Sequence, residues 1–176
     1  MKKLDNVLQN IKVNVLADDK RWLDSKYGWI KFQSNKKVGA IGEEIAKGIY
    51  GDCVPPISKD HDFIFAGRKK EVKTATMAIK QGTFTFFQIR QFQDVNDYVF
   101  ICITPEKIEI WEVSKKDLLR YICEKEKGVI VAGGKGKRKV LEEKHGKEWM
   151  KYNDLFHYKV RVDDKEFFGG LCKRVV

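Results

Sequence analysis

Proline and histidine are scarce in this chain, three of each, and its four cysteines never form a C-x-x-C pair. Cys53, Cys102, Cys123 and Cys172 are dispersed, which excludes a zinc ribbon and a dithiol redox motif. Reduced structural thiols are expected, and Cys102, inside the apolar run 98–103, reads as a small buried hydrophobe. His61, His145 and His157 are too few and too scattered for a His-rich metal site. No apolar run approaches the roughly 20 residues that span a bilayer. The opening Met1-Lys2-Lys3-Leu4-Asp5 leads into a polar, acidic stretch rather than a signal-peptide core. The expectation is a cytoplasmic protein with no membrane partner.

What the chain has in excess is positive charge. Its 176 residues carry 35 Lys and Arg against 25 Asp and Glu, a formal net charge of +10. The two signs are interleaved along the chain, and aromatic residues make up 12% of it. That combination describes a folded basic protein whose partner is a polyanion, not a disordered basic tail. The length suggests one domain over 1–176.

The stretch from Asp62 to Lys73 concentrates the chemistry. Two β-like runs meet at Ala66-Gly67-Arg68-Lys69, and Gly67-Arg68 suits a two-residue turn with glycine at its first central position. That turn pairs Phe65 with Lys70, Phe63 with Val72 and Asp62 with Lys73. Alternation then puts Asp62, Glu71 and Lys73 on one face. Two carboxylates held this close repel each other and invite a divalent cation, and hard oxygen donors favour Mg²⁺. A lysine beside them can place charge, or a polarised water, at the same spot. Most Glu and Lys residues in strands are simply solvated. Here the apolar Phe63-Ile64-Phe65 run, Val72 and Thr74-Ala75-Thr76 make the hairpin a core element instead.

On these residues the sequence resembles the PD-(D/E)xK nuclease superfamily, in particular the type II restriction endonucleases. Asp62 stands as the Asp, and Glu71 and Lys73 as the Glu-x-Lys. No proline directly precedes Asp62, and Asp60 stays a rival for its role. The resemblance implies Asp62 and Glu71 as metal ligands and Lys73 as the residue that orients or helps deprotonate the attacking water. It also implies an extra acidic group from a Gly-Glu near the start of the first core helix, matched by Gly42-Glu43, and a Gln or Arg after the Glu-x-Lys strand that touches the substrate, matched by Gln88 and Arg90. A His-Asn-His nuclease motif built on His145, Asn153 and His157 lacks the glycine and zinc-knuckle context such sites carry.

The flanking elements follow from periodicity. Leu4, Val7, Leu8, Ile11 and Val15 give an amphipathic helix that packs on the core or on a second subunit. Trp22, Tyr27, Trp29 and Phe32 read as core or interface aromatics. Asn35 can cap a helix over 36–50 with Val38, Ile41, Ile45 and Ile49 on its stripe and Gly39, Gly42 and Ala46 on the flank of Glu43, while Glu44 is more solvent-like. Strands are expected at 83–92, 98–103 and 108–113, with a turn at Thr104-Pro105-Glu106-Lys107. Ser114 caps a helix to about residue 125, burying Leu118, Leu119 and Ile122. Continuous apolar runs imply a central mixed sheet flanked by helices, an α/β class, and the order of elements over about 36–125 matches the restriction-endonuclease-like fold.

The remainder, about 128–176, reads as a basic DNA-contacting region. Lys135, Lys137, Arg138 and Lys139 cluster with three glycines, Gly133, Gly134 and Gly136, which suits phosphate contact and, for Arg138, guanine recognition. Residues 158–162 suggest one more strand, packed down by Phe167 and Phe168. The expected function is Mg²⁺-dependent cleavage of double-stranded DNA by a homodimer. A junction resolvase or repair nuclease of the same fold, and a non-catalytic basic DNA-binding module, are the alternatives.

Overall fold

The computed structural model describes residues 20–90, 93–124, 130–131 and 155–176. The expected N-terminal helix over 4–16, and Lys135, Lys137, Arg138 and Lys139 of the basic loop, lie outside the described residues. The helices are α1 (Gly28–Lys31), α2 (Asn35–Tyr50) and α3 (Lys115–Glu124). The strands are β1 (Phe63–Phe65), β2 (Arg68–Thr76), β3 (Thr83–Arg90), β4 (Asp97–Ile103), β5 (Ile108–Ser114), β6 (Ile130–Val131), β7 (Leu155–Arg161) and β8 (Lys173–Arg174). The class is mixed α/β.

A five-stranded mixed sheet in the order β1-β2-β4-β5-β8 forms the centre, with β2 and β4 parallel and the other pairs antiparallel. Every residue of β4 is buried, which is what its near-continuous apolar run requires of a strand covered on both faces. β4 and β5 pair as expected across the turn at Thr104, whose N–H and hydroxyl both bond the carbonyl of Lys107.

β3 departs from expectation. It leaves the central sheet and joins a three-stranded antiparallel sheet in the order β3-β7-β6. Alternation in its sequence identifies which face is buried, but not which strand it pairs with. Phe86 packs against Phe100 of β4 with ring centroids 4.5 Å apart, so β3 covers the central sheet instead of extending it. Phe167, fully buried, closes the same layer between Phe100 and Tyr121.

Helix α2 covers the opposite face. Its cap is Ser34, whose hydroxyl accepts from the Lys37 N–H, and Asn35 is the first helical residue, not the cap. The buried centre is Val38 from the apolar stripe with Gly42 and Ala46 from the small-residue flank, whereas Ile41 and Ile45 lie at its margin and Ile49 is 47% exposed. Small residues win the centre because the helix runs very close to β2: a Cβ on Gly42 would meet Thr74 Oγ1 at 1.7 Å. Gly39 has nothing within 4 Å of that position. Among the aromatics before α2, Trp22 is fully buried, but Trp29 and Phe32 are 59% and 53% exposed. Ser114 caps α3 as expected, and Leu118 and Ile122 are fully buried.

Candidate active site

The β1–β2 hairpin forms, but two residues out of the expected register. Phe65 pairs with Arg68, Ile64 with Lys69 and Phe63 with Lys70, so the turn is Ala66-Gly67 and not Gly67-Arg68. Both turn residues have positive φ, 48° and 73°, the geometry of the hairpin turn whose twist matches its strands. Ala66 is an unfavourable residue there, and long-range bonds fix the register instead. Arg68 forks onto Asp97 at 2.5 and 2.7 Å, and Asn96 Oδ1 accepts from the Lys69 N–H at 2.8 Å. A slip of two keeps every side chain on its own face. Asp62 therefore stays with Glu71 and Lys73, but its cross-strand position is opposite Glu71, and its N–H bonds the Lys70 carbonyl.

The geometry separates the two aspartates. Asp62 Oδ2 accepts the Val72 N–H at 2.7 Å, which fixes the carboxylate against β2 beside Glu71. Asp60 is held through its backbone: its N–H bonds Ser58 Oγ and its carbonyl accepts from the Gln93 amide. His61, between them, is buried and bonded to the Ile57 N–H and Ser58, a structural role in the entering loop.

Glu71 is only 7% exposed, and its Oε1 lies 2.6 Å from Lys73 Nζ. Burial pushes the Glu71 carboxyl above the ordinary range, Lys73 pulls it back, and the Asp62 charge raises it again. Burial likewise raises Asp62, opposed by the Val72 N–H and reinforced by the charge of Glu43. Glu43, on the α2 flank, is itself raised first by burial, with Lys47 opposing and Glu71 adding to the shift. Three carboxylates thus disfavour one another's ionisation, with Lys73 and Lys47 opposing the shifts. Glu44 points to solvent and pairs with Lys47 at 3.3 Å.

Two supporting residues have no signal in the sequence. Gln93, 1% exposed, donates to the Glu71 carboxylate and to the Asp60 carbonyl. Tyr98 sits beside Glu71 in the β2–β4 ladder, and its hydroxyl bridges the Arg90 backbone and Gln93 Oε1. Only the parallel pairing of β2 with β4 brings them to the site, and no local pattern announces that pairing.

Gln88 and Arg90 lie on β3 at a bulge where the register shifts between Phe86 and Ile89 and Gln88 takes a φ of 59°. The Arg90 guanidinium donates to Gln88 Oε1 at 3.0 Å. Neither bonds the carboxylates; Arg90 connects to the site only through its backbone and Tyr98.

Among the described residues no three His, Cys, Asp or Glu side chains stand together closely enough to enclose a metal ion. Asp62 and Glu71 supply two hard oxygen groups whose mutual repulsion a divalent cation would relieve, and Mg²⁺ commonly keeps waters and substrate oxygens in its remaining positions. The donor set fits such an ion. Comparison with protein-family models and with curated proteins finds no match for this chain.

Proposed function

We propose that this chain is a Mg²⁺-dependent endodeoxyribonuclease of the type II restriction kind, with a PD-(D/E)xK fold, cutting double-stranded DNA at a short specific site. The observation that carries this reading is the convergence of Asp62, Glu71 and Lys73 on one edge of β2, with carboxyl groups whose burial and mutual repulsion favour a cation. The net charge of +10 supports a polyanionic substrate.

Asp62 and Glu71 would hold the ion, which when bound supplies positive charge for the pentavalent phosphorus and the leaving oxygen. The remaining work belongs to the chain. The Val72 amide keeps Asp62 from rotating away, and Gln93 does the same for Glu71. Lys73, anchored by Glu71, holds a water by its remaining N–H donors in line with the phosphorus. Glu43 adds negative charge at the rim of the same site.

Cutting both strands of a palindrome calls for two copies related by a twofold axis. Leu23, Trp29 and Phe32, each at least half exposed, offer apolar surface for a homodimer to cover. Supercoiled plasmid incubated with the protein and Mg²⁺ should yield discrete fragments, and EDTA should stop the reaction. Plasmid left intact in Mg²⁺ and Mn²⁺ refutes the reading; preferential cutting of a four-way junction would move it to a resolvase.

A further inference from the structure

Only Arg68–Lys70 of β2 pair with β1. Among the described residues no strand pairs with the outer edge of β2 beyond that point. Val72 turns its N–H toward this edge, where Asp62 accepts it, and alternation directs the N–H groups of Thr74 and Thr76 the same way. From Thr74 to Thr76, about 3–10 Å along the strand from Lys73 at strand rise, the edge borders a cleft of about 210 Å³ between the start of α2 and β3.

The cleft is built for an anion. Lys31 reaches it with its ammonium held by Thr76 Oγ1 at 3.3 Å and the Met77 carbonyl at 3.1 Å. Asn35, the first residue of α2, lines it, and the first turn of this 16-residue helix carries no acidic residue to balance its N-terminal dipole. None of the described residues that line the cleft is Asp or Glu. Independently, Thr83 lines the same cleft at 7% exposure with a buried hydroxyl that has no hydrogen-bond partner. A buried hydroxyl is rarely left unpaired without reason.

We propose that this cleft is a second phosphate subsite, which holds a phosphodiester of the substrate strand next to the one cleaved at Asp62 and Glu71. Lys31, Asn35, Thr83 and the start of α2 supply the donors. The assignment rests on the nuclease reading for the source of the phosphate, while the anion site itself stands on the geometry of the cleft.

Inorganic phosphate titrated into the full chain, followed by amide chemical shifts, tests the anion site alone. The amides of Asn35, Lys36, Thr74 and Thr76 should shift in the parent and in Asp62→Asn, and should stay still in Lys31→Met and Thr83→Val. Absent shifts, or shifts unchanged in both cleft variants, overturn the proposal. Thr83→Val should also keep or raise Tm, since it removes an unpaired buried hydroxyl; a lowered Tm would assign that hydroxyl to the fold and overturn its role.

Duplex DNA in Ca²⁺ tests the source. Lys31→Met should reduce affinity on every sequence and lower the salt slope by about one. A loss confined to the cleaved site, with an unchanged slope, would make the cleft a base reader and overturn the phosphate assignment. Phosphate shifts with unaltered DNA binding would leave a site for free phosphate and overturn the substrate-strand assignment. If the parent neither binds nor cuts DNA while phosphate still moves the cleft amides, the nuclease reading fails and the anion site survives it.

Discussion

Gly42→Ala and Gly39→Ala, one turn apart on α2, isolate the cost of the close approach between this helix and β2. Both replacements remove the conformational freedom of glycine and so gain about 1 kcal/mol of helix propensity. At Gly39 nothing lies within 4 Å of the new methyl, and the gain should appear nearly whole. At Gly42 the methyl falls 1.7 Å from Thr74 Oγ1, 2.8 Å from its Cβ and 2.9 Å from its Cγ2. A Thr rotamer change clears the oxygen but not the Cβ, so the helix must lift from the sheet. Overpacking of this kind costs about 1–3 kcal/mol. The two variants should therefore differ by about 1–3 kcal/mol, with Gly39→Ala above the parent and Gly42→Ala at or below it. Urea denaturation with a common m-value gives the difference. Thr74→Gly should recover most of the loss in the Gly42→Ala background beyond its own effect on the parent, a coupling that a double-mutant cycle reads. Equal stability of the two alanine variants would refute the packing described for α2.

Lys73→Ala should keep DNA affinity in Ca²⁺ and lose cleavage in Mg²⁺; near-parental cutting by the purified variant removes Lys73 from the chemistry. Burial raises the Asp62 and Glu71 carboxyl pKa values, so the native state holds these protons more tightly than the unfolded chain, and the associated stability is present at low pH and lost as pH rises through the raised values. Asp62→Asn should accordingly have a higher Tm than the parent at neutral pH without Mg²⁺, with the gap closing as pH falls, and a pH-independent gap would contradict the electrostatics. Tyr98→Phe, which removes a hydroxyl bonded to Gln93 and Arg90, should lower kcat several-fold through Glu71 while DNA affinity holds; unchanged kcat would make Tyr98 purely a packing residue. Glu43→Gln should slow cleavage more than Glu44→Gln, and equal small effects would separate α2 from the site. Replacing Lys135, Lys137, Arg138 and Lys139 should flatten the salt dependence of DNA binding by about one unit per lost contact, and an unchanged slope would mean the segment is only solvated.

Local sequence was most informative where one face or one run decides the outcome. β4 is apolar throughout and central, and Ser114 caps α3, because burial and capping are written in neighbouring residues. The shared face of Asp62, Glu71 and Lys73 was legible for the same reason, since parity survives a slip of two. The register itself was not. It depends on Asp97 and Asn96, more than 25 residues away, which hold Arg68 and Lys69. Nothing in the local sequence marks Lys70 as buried, yet it is 3% exposed between Asp97 at 2.8 Å and Glu112 at 2.9 Å. Such pairs can impose register more than they add stability. On α2 only Val38 of the bulky stripe reached the buried centre, because volume governs a helix this close to a sheet, and Gly42 and Ala46 completed it.

The bond from the Val72 N–H to Asp62 has a consequence for solubility. An interior strand that loses its neighbour partway along exposes backbone donors that a second molecule can adopt, the route by which open edges self-pair and aggregate. Here a carboxylate stands where the carbonyl of a neighbouring strand would be. Asp62 thus also blunts an edge. Alanine at this position would remove the proposed metal ligand and unmask a pairing site together, so its inactivity would report clumped protein as readily as a lost ligand; asparagine, whose amide oxygen still accepts from Val72, separates the two.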